Sequence, residues 1–75
     1  MRELIEYVAR GLVAKPDEVV VEEVPSGRMT LYEISVAEED VGKMIGRQGK
    51  VIRALRTLAK ASATRQGTRV DVDVV

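Results

Sequence analysis

Gly46 and Gly49 interrupt what would otherwise be one long helical pattern, and this break constrains the fold more than any other feature of the chain. Ahead of it, Glu38, Glu39 and Asp40 put three acids where a helix would start, which suits the positive end of a helix dipole. Val41, Met44 and Ile45 are the apolar positions of a short helix that Gly46 ends. Beyond the break a second helix is expected over residues 49–63, then a loop at Gly67. Thr68, Val70, Val72 and Val74 alternate with Arg69, Asp71 and Asp73, the period of a strand with one buried face. A strand preceding the helix pair must reach this last strand through a crossover of about 30 residues, which favours a parallel pairing.

The first half of the chain supplies that earlier strand. Residues 2–14 place Leu4, Ile5, Val8, Leu12 and Val13 at helical spacing, with Arg2, Glu3, Glu6 and Arg10 elsewhere, the pattern of an amphipathic helix. Lys15-Pro16-Asp17 ends it, because proline cannot extend the hydrogen-bonded ladder. Residues 19–24 are rich in β-branched side chains and read as a strand. Pro25-Ser26-Gly27 supplies turn chemistry. Over residues 29–36, Thr30, Tyr32, Ile34 and Val36 share one face, with Glu33 and Ser35 on the other, so an antiparallel hairpin is expected. The order α-β-β-α-α-β predicts an α+β fold, a three-stranded mixed sheet with three helices on one face, formed by residues 1–75 as a single domain.

Charge is distributed more tellingly than its zero sum suggests. Residues 1–40 carry four basic and ten acidic side chains, whereas residues 41–70 carry eight basic ones and no acid. Asp71 and Asp73 complete the balance. Lysines and arginines are ordinary on a solvated helix face, but such a face usually intersperses acids. Their absence favours an anionic partner on that part of the surface.

Several functions are disfavoured. There is no Cys and no His, so disulfides, Cys/His metal sites and His or Cys catalysis are excluded. The acids at Glu22-Glu23 and Glu38-Glu39-Asp40 come with no nucleophile or phosphate motif, so an enzyme is not expected, nor any cofactor. The Walker pattern is not met, and the loop lacks the third glycine of a dinucleotide-binding turn. Met1 to Ala14 is punctuated by charge and does not read as a signal peptide, and no run could span a bilayer. A cytoplasmic protein without membrane association is expected. The only aromatics are Tyr7 and Tyr32, which argues against binding that stacks bases on the sheet.

Gly46-Arg47-Gln48-Gly49 is the candidate site. Glycine admits backbone angles closed to other residues and lets a ligand approach the main chain. The second helix begins there, so its unpaired N–H groups point into the loop, where a phosphate can sit. Arg47 adds a mobile cation, Lys50 a second one, and Lys43 flanks the loop from the other side. Lys50, Arg53, Arg56 and Lys60 fall within an arc of about 120° on a helical wheel. Val51, Leu55 and Leu58 cluster opposite, where the sheet would be.

The segment from Ile45 to Leu55 resembles the signature of the KH domain, in which Ile-Gly-x-x-Gly is followed by x-x-Ile-x-x-Leu or a close variant. The element order is similar to the bacterial, type II arrangement, and the likeness extends over the whole chain. Within the family it is closest to the small stand-alone bacterial members of the KhpA kind. The resemblance implies a groove for single-stranded RNA, with the glycine loop clamping the backbone of about four nucleotides. It places Gly46, Arg47, Gln48 and Gly49 in the clamp and Lys43, Lys50 and Arg53 beside it. Ile45 and Ile52, mainly core, are possible base contacts. A variable loop over residues 63–68 would carry Arg65, with Arg69 just beyond. It further implies an RNA chaperone in post-transcriptional regulation, linked to cell elongation and envelope growth. A homodimer is implied, or a heterodimer with a second KH protein of the KhpB (Jag/EloR) kind. The small residues of 59–63 are the expected self-association surface. The competing reading is a dimerisation adaptor of KH shape whose partner binds the RNA.

Overall fold

Alternation puts Tyr32, Ile34, Val70 and Val72 on one face of a sheet, and these side chains form the floor of the core. In the computed structural model, which describes residues 1–75, the elements run α1 (Arg2–Leu12), β1 (Val20–Ser26), β2 (Met29–Ser35), α2 (Val41–Ile45), α3 (Lys50–Arg65) and β3 (Arg69–Val74). Single turns of 3-10 helix lie at Pro16–Glu18, Glu38–Asp40 and Arg47–Gly49. The sheet order is β1-β2-β3, antiparallel for the first pair and parallel for the second. This is the α+β arrangement that the pattern of the sequence predicts, with the crossover doing what its length requires.

The hairpin is tighter than the turn chemistry of residues 25–27 suggests. Ser26 pairs with Met29, so the turn consists of Gly27 and Arg28 alone. Gly27 sits at φ +63°, and a glycine at the first central position suits a two-residue hairpin. Pro25 lies inside β1 rather than in the turn. It is tolerated there because β1 is an edge strand, where a missing N–H breaks no ladder.

The roof of the core comes from all three helices: Ile5 and Ala9 of α1, Met44 of α2, and Ile52, Leu55, Ala59 and Ala63 of α3. Two expectations are corrected here. Leu58 is 62 % exposed and does not face the sheet. Ala59 and Ala63 do face it, and their small side chains let α3 lie close to β3. Those two alanines are therefore unavailable as a self-association surface. The reason is angular: at 100° per residue the buried set 52, 55, 59 and 63 is one continuous stripe, and 58 falls outside it.

Candidate nucleic-acid interface

The loop between α2 and α3 is built on three backbone exceptions within four residues. Gly46 adopts φ +76°, ψ 171°, a conformation open almost only to glycine, and its N–H closes α2 by donating to the Gly42 carbonyl at 2.8 Å. Gln48 (φ +57°) and Gly49 (φ +74°) are both left-handed. The turn is closed by the Gly49 N–H to the Gly46 carbonyl at 3.1 Å and by the Lys50 N–H to the Arg47 carbonyl. The N–H groups of Arg47 and Gln48 are not among the bonds that close the turn.

Two side chains hold this loop in place. Val51, in the first turn of α3, fills the space where a Cβ on Gly46 would go, with its own Cβ 2.8 Å and its backbone nitrogen 2.9 Å from that point. Arg53 folds back along α3 and donates to the Gln48 carbonyl at 2.6 Å and the Gly49 carbonyl at 3.3 Å. Arg53 thus braces the left-handed pair from behind as well as adding charge.

The surrounding charge is largely unspent. Of the eight basic side chains in residues 41–70, only Lys43 and Arg56 meet a carboxylate, at 3.5 Å from Asp40 and 2.9 Å from Asp71 respectively. Arg47, Lys50 and Lys60 are in no ion pair. Unpaired cations around one turn create a field that attracts a polyanion and is screened by salt.

Asp40 is a part of the site that sequence reasoning missed. It reads as one of three acids at a helix start, but its side chain is fully buried while Glu38 and Glu39 are exposed. Its carboxylate accepts the N–H of Ala14 at 3.1 Å and of Lys15 at 3.0 Å, strapping the end of α1 to the beginning of α2. The Ala14 N–H above all, then the Lys15 N–H and the Lys43 ammonium, hold this carboxyl below its usual range despite burial. Glu39 meets Lys15 at 2.9 Å, and that contact raises the lysine's pKa. No spacing rule distinguishes Asp40 from its two neighbours, so only the tertiary contact could have found it.

Gly46, Arg47, Gln48, Gly49, Lys50, Lys43 and Arg53 lie together around the loop. Ile45 is 39 % exposed beside it, more open than a core residue, whereas Ile52 is buried and offers a ligand little surface. Arg65 is elsewhere. The helix continues through it, two residues beyond the expected end, so the loop before β3 is only residues 66–68 and Arg65 turns toward α1. There it borders a hollow of about 690 Å³ between α1 and α3, lined by Leu4, Val8, Leu58 and Ala61 among others.

The comparisons with known proteins agree with this arrangement. The family model described as KhpA/KhpB, KH domain, matches residues 2–74. The RNA-binding protein KhpA of Clostridium acetobutylicum is 44 % identical over 75 residues, covering 100 % of both chains. Its namesake in Treponema pallidum is 47 % identical over 73 residues, covering 97 % of this chain and 91 % of the relative. Among solved structures, a variant of Aquifex aeolicus Era bound to GDP and aluminium fluoride aligns with a TM-score of 0.66 at 20 % identity, over 97 % of this chain and 28 % of that longer one. That likeness is one of fold alone. By sequence over nearly its full length, the chain belongs to the KhpA/KhpB family of KH-domain proteins.

Proposed function

We propose that this protein binds single-stranded RNA, gripping the sugar-phosphate backbone with the loop Gly46-Arg47-Gln48-Gly49. The observation that carries the reading is the positive-φ turn of Gly46, Gln48 and Gly49 at the head of a basic, acid-free helix. Backbone N–H groups and mobile cations suit phosphate oxygens and carry no base preference. The relatives named RNA-binding protein KhpA support the choice of RNA. A role as RNA chaperone in post-transcriptional control, with consequences for cell elongation and envelope growth, is the cellular reading the family suggests. Backbone contacts release counterions, so affinity follows salt. With about four phosphates engaged, raising salt fourfold weakens binding to a short oligonucleotide on the order of 50-fold. Binding indifferent to salt contradicts a backbone grip.

The hollow between α1 and α3 favours an accompanying function in association. Leu4 and Leu58 are 52 % and 62 % exposed on its rim, a large apolar surface for so small a chain. This groove, rather than residues 59–63 as a whole, is the proposed contact with a second copy or with a KhpB-like partner. Ala59, Ala61 and Ser62 are the members of that stretch that line it, Ala59 from its buried floor. A pure adaptor would keep this surface and need no loop. In sedimentation at micromolar concentration, wild type is expected as a dimer and Ala61→Asp as a monomer; equal masses reject the surface.

A further inference from the structure

β3 is an edge strand, and alternate residues of a parallel edge strand turn their backbone groups outward. Val75 bonds inward, its N–H donating to the Ile34 carbonyl at 3.0 Å, which leaves Val70, Val72 and Val74 facing out. An open edge presents N–H donors and C=O acceptors in a row, the same groups that unstacked bases offer on their own edges. Here the part of the row at Val72 and the Val74 N–H is closed by the chain's own side chains. The Val72 N–H donates to Asp71 Oδ1 at 2.8 Å, and the Val74 N–H to Asp73 Oδ1 at 2.9 Å. The Val72 carbonyl accepts from Arg56 Nε at 3.2 Å and Nη2 at 2.9 Å. Arg56 Nε also lies 2.9 Å from Asp71 Oδ1, which locks the two caps together.

Arg56 stands on α3 one turn beyond Arg53, the residue that braces the loop. A strand of RNA laid along the basic stripe from the loop would therefore meet this edge next. Solvent would satisfy outward-facing groups equally well, and an isolated surface ion pair contributes little. Three side-chain-capped groups on the two neighbouring outward residues Val72 and Val74 are better explained by what they deny to a ligand.

We propose that Arg56 and Asp71 form a clasp that withholds the Val72 edge from nucleobases, making the interface indifferent to base identity. The inference rests on the RNA-binding reading and adds a specificity residue pair to it. Opening the clasp exposes the edge. Removing Asp71 frees the Val72 N–H and leaves the charge of the stripe intact; removing Arg56 frees the carbonyl at the cost of one cation.

The test is fluorescence anisotropy with labelled A8, C8 and U8 RNA, for wild type, Asp71→Ala and Arg56→Met, each checked for folding by circular dichroism. Wild type is expected to bind the three within about threefold of one another, as sequence-tolerant sites do. Each folded variant is expected to spread them by about fivefold or more, the value of one good base hydrogen bond. The Val72 amide resonance should move with RNA in Asp71→Ala and stay still in wild type, which a merely structural pair would not produce. A flat profile in both variants, or a variant that self-associates through its edge without gaining preference, overturns the clasp alone. So does a wild type that already discriminates. A wild type that binds none of the three overturns the RNA reading and the clasp with it.

Discussion

Gly46 and Gly49 are equivalent letters in a Gly-x-x-Gly pattern and carry different physical loads. At Gly46 any side chain both meets Val51 and enforces a disallowed backbone angle. Gly49 has open space around it, with only the Arg53 side chain at 3.9 Å, so the left-handed angle is the sole demand. Gly46→Ala is thus expected to cost about 3 kcal/mol or more, from overpacking and strain together. Gly49→Ala should cost about 1 kcal/mol. Urea unfolding of the two variants measures the difference; equal losses contradict the packing account. The pair of glycines was legible from the sequence, but this inequality was not, because it depends on where Val51 points. Arg53 was legible as a cation near the loop and not as its brace, since nothing in helical spacing says that the guanidinium folds backward onto two carbonyls.

At the scale of elements, α3 divides three duties around its circumference. Ile52, Leu55, Ala59 and Ala63 seal the sheet, Lys50, Arg53 and Lys60 face solvent, and Leu58 with Ala61 borders the hollow beside α1. Helix existence, element order and strand faces could all be read from periodicity, because burial on one face imposes it. Side chains at the boundaries of that face could not: a leucine was the natural candidate for the core, and two alanines hold the place because the helix packs close. The short α2 depends on its strap to α1. Asp40 has a folded pKa below its unfolded value, so its contribution to stability is complete above about pH 4. It is lost as pH falls further, through the depressed folded value. Asp40→Asn should therefore melt below wild type at neutral pH, and the gap should close in acid below about pH 4. Melting curves across pH check this, and a gap that persists unchanged at low pH contradicts it.

Over the whole molecule, zero net charge conceals a division into faces. Glu22, Glu33 and Asp73 are cross-strand neighbours on the face of the sheet away from the helices, while the unpaired cations gather around the loop and along α3. The acidic face repels a polyanion and the basic one attracts it, which orients the molecule on its ligand without needing a basic protein. Overall composition hides this; the segregation of residues 41–70 reveals it, and the fold gathers Lys43, Arg47, Lys50 and Arg53 of that segment around the loop, with Arg65 and Arg69 lying apart from them. The central claim is that the loop itself grips the backbone. RNA affinity of the double variant Arg47→Asp, Gln48→Asp, beside wild type at one salt concentration, tests it most directly. The expected result is an unchanged circular dichroism spectrum with RNA retention abolished; a folded double variant that binds as tightly as wild type would contradict the account and leave the adaptor reading in its place.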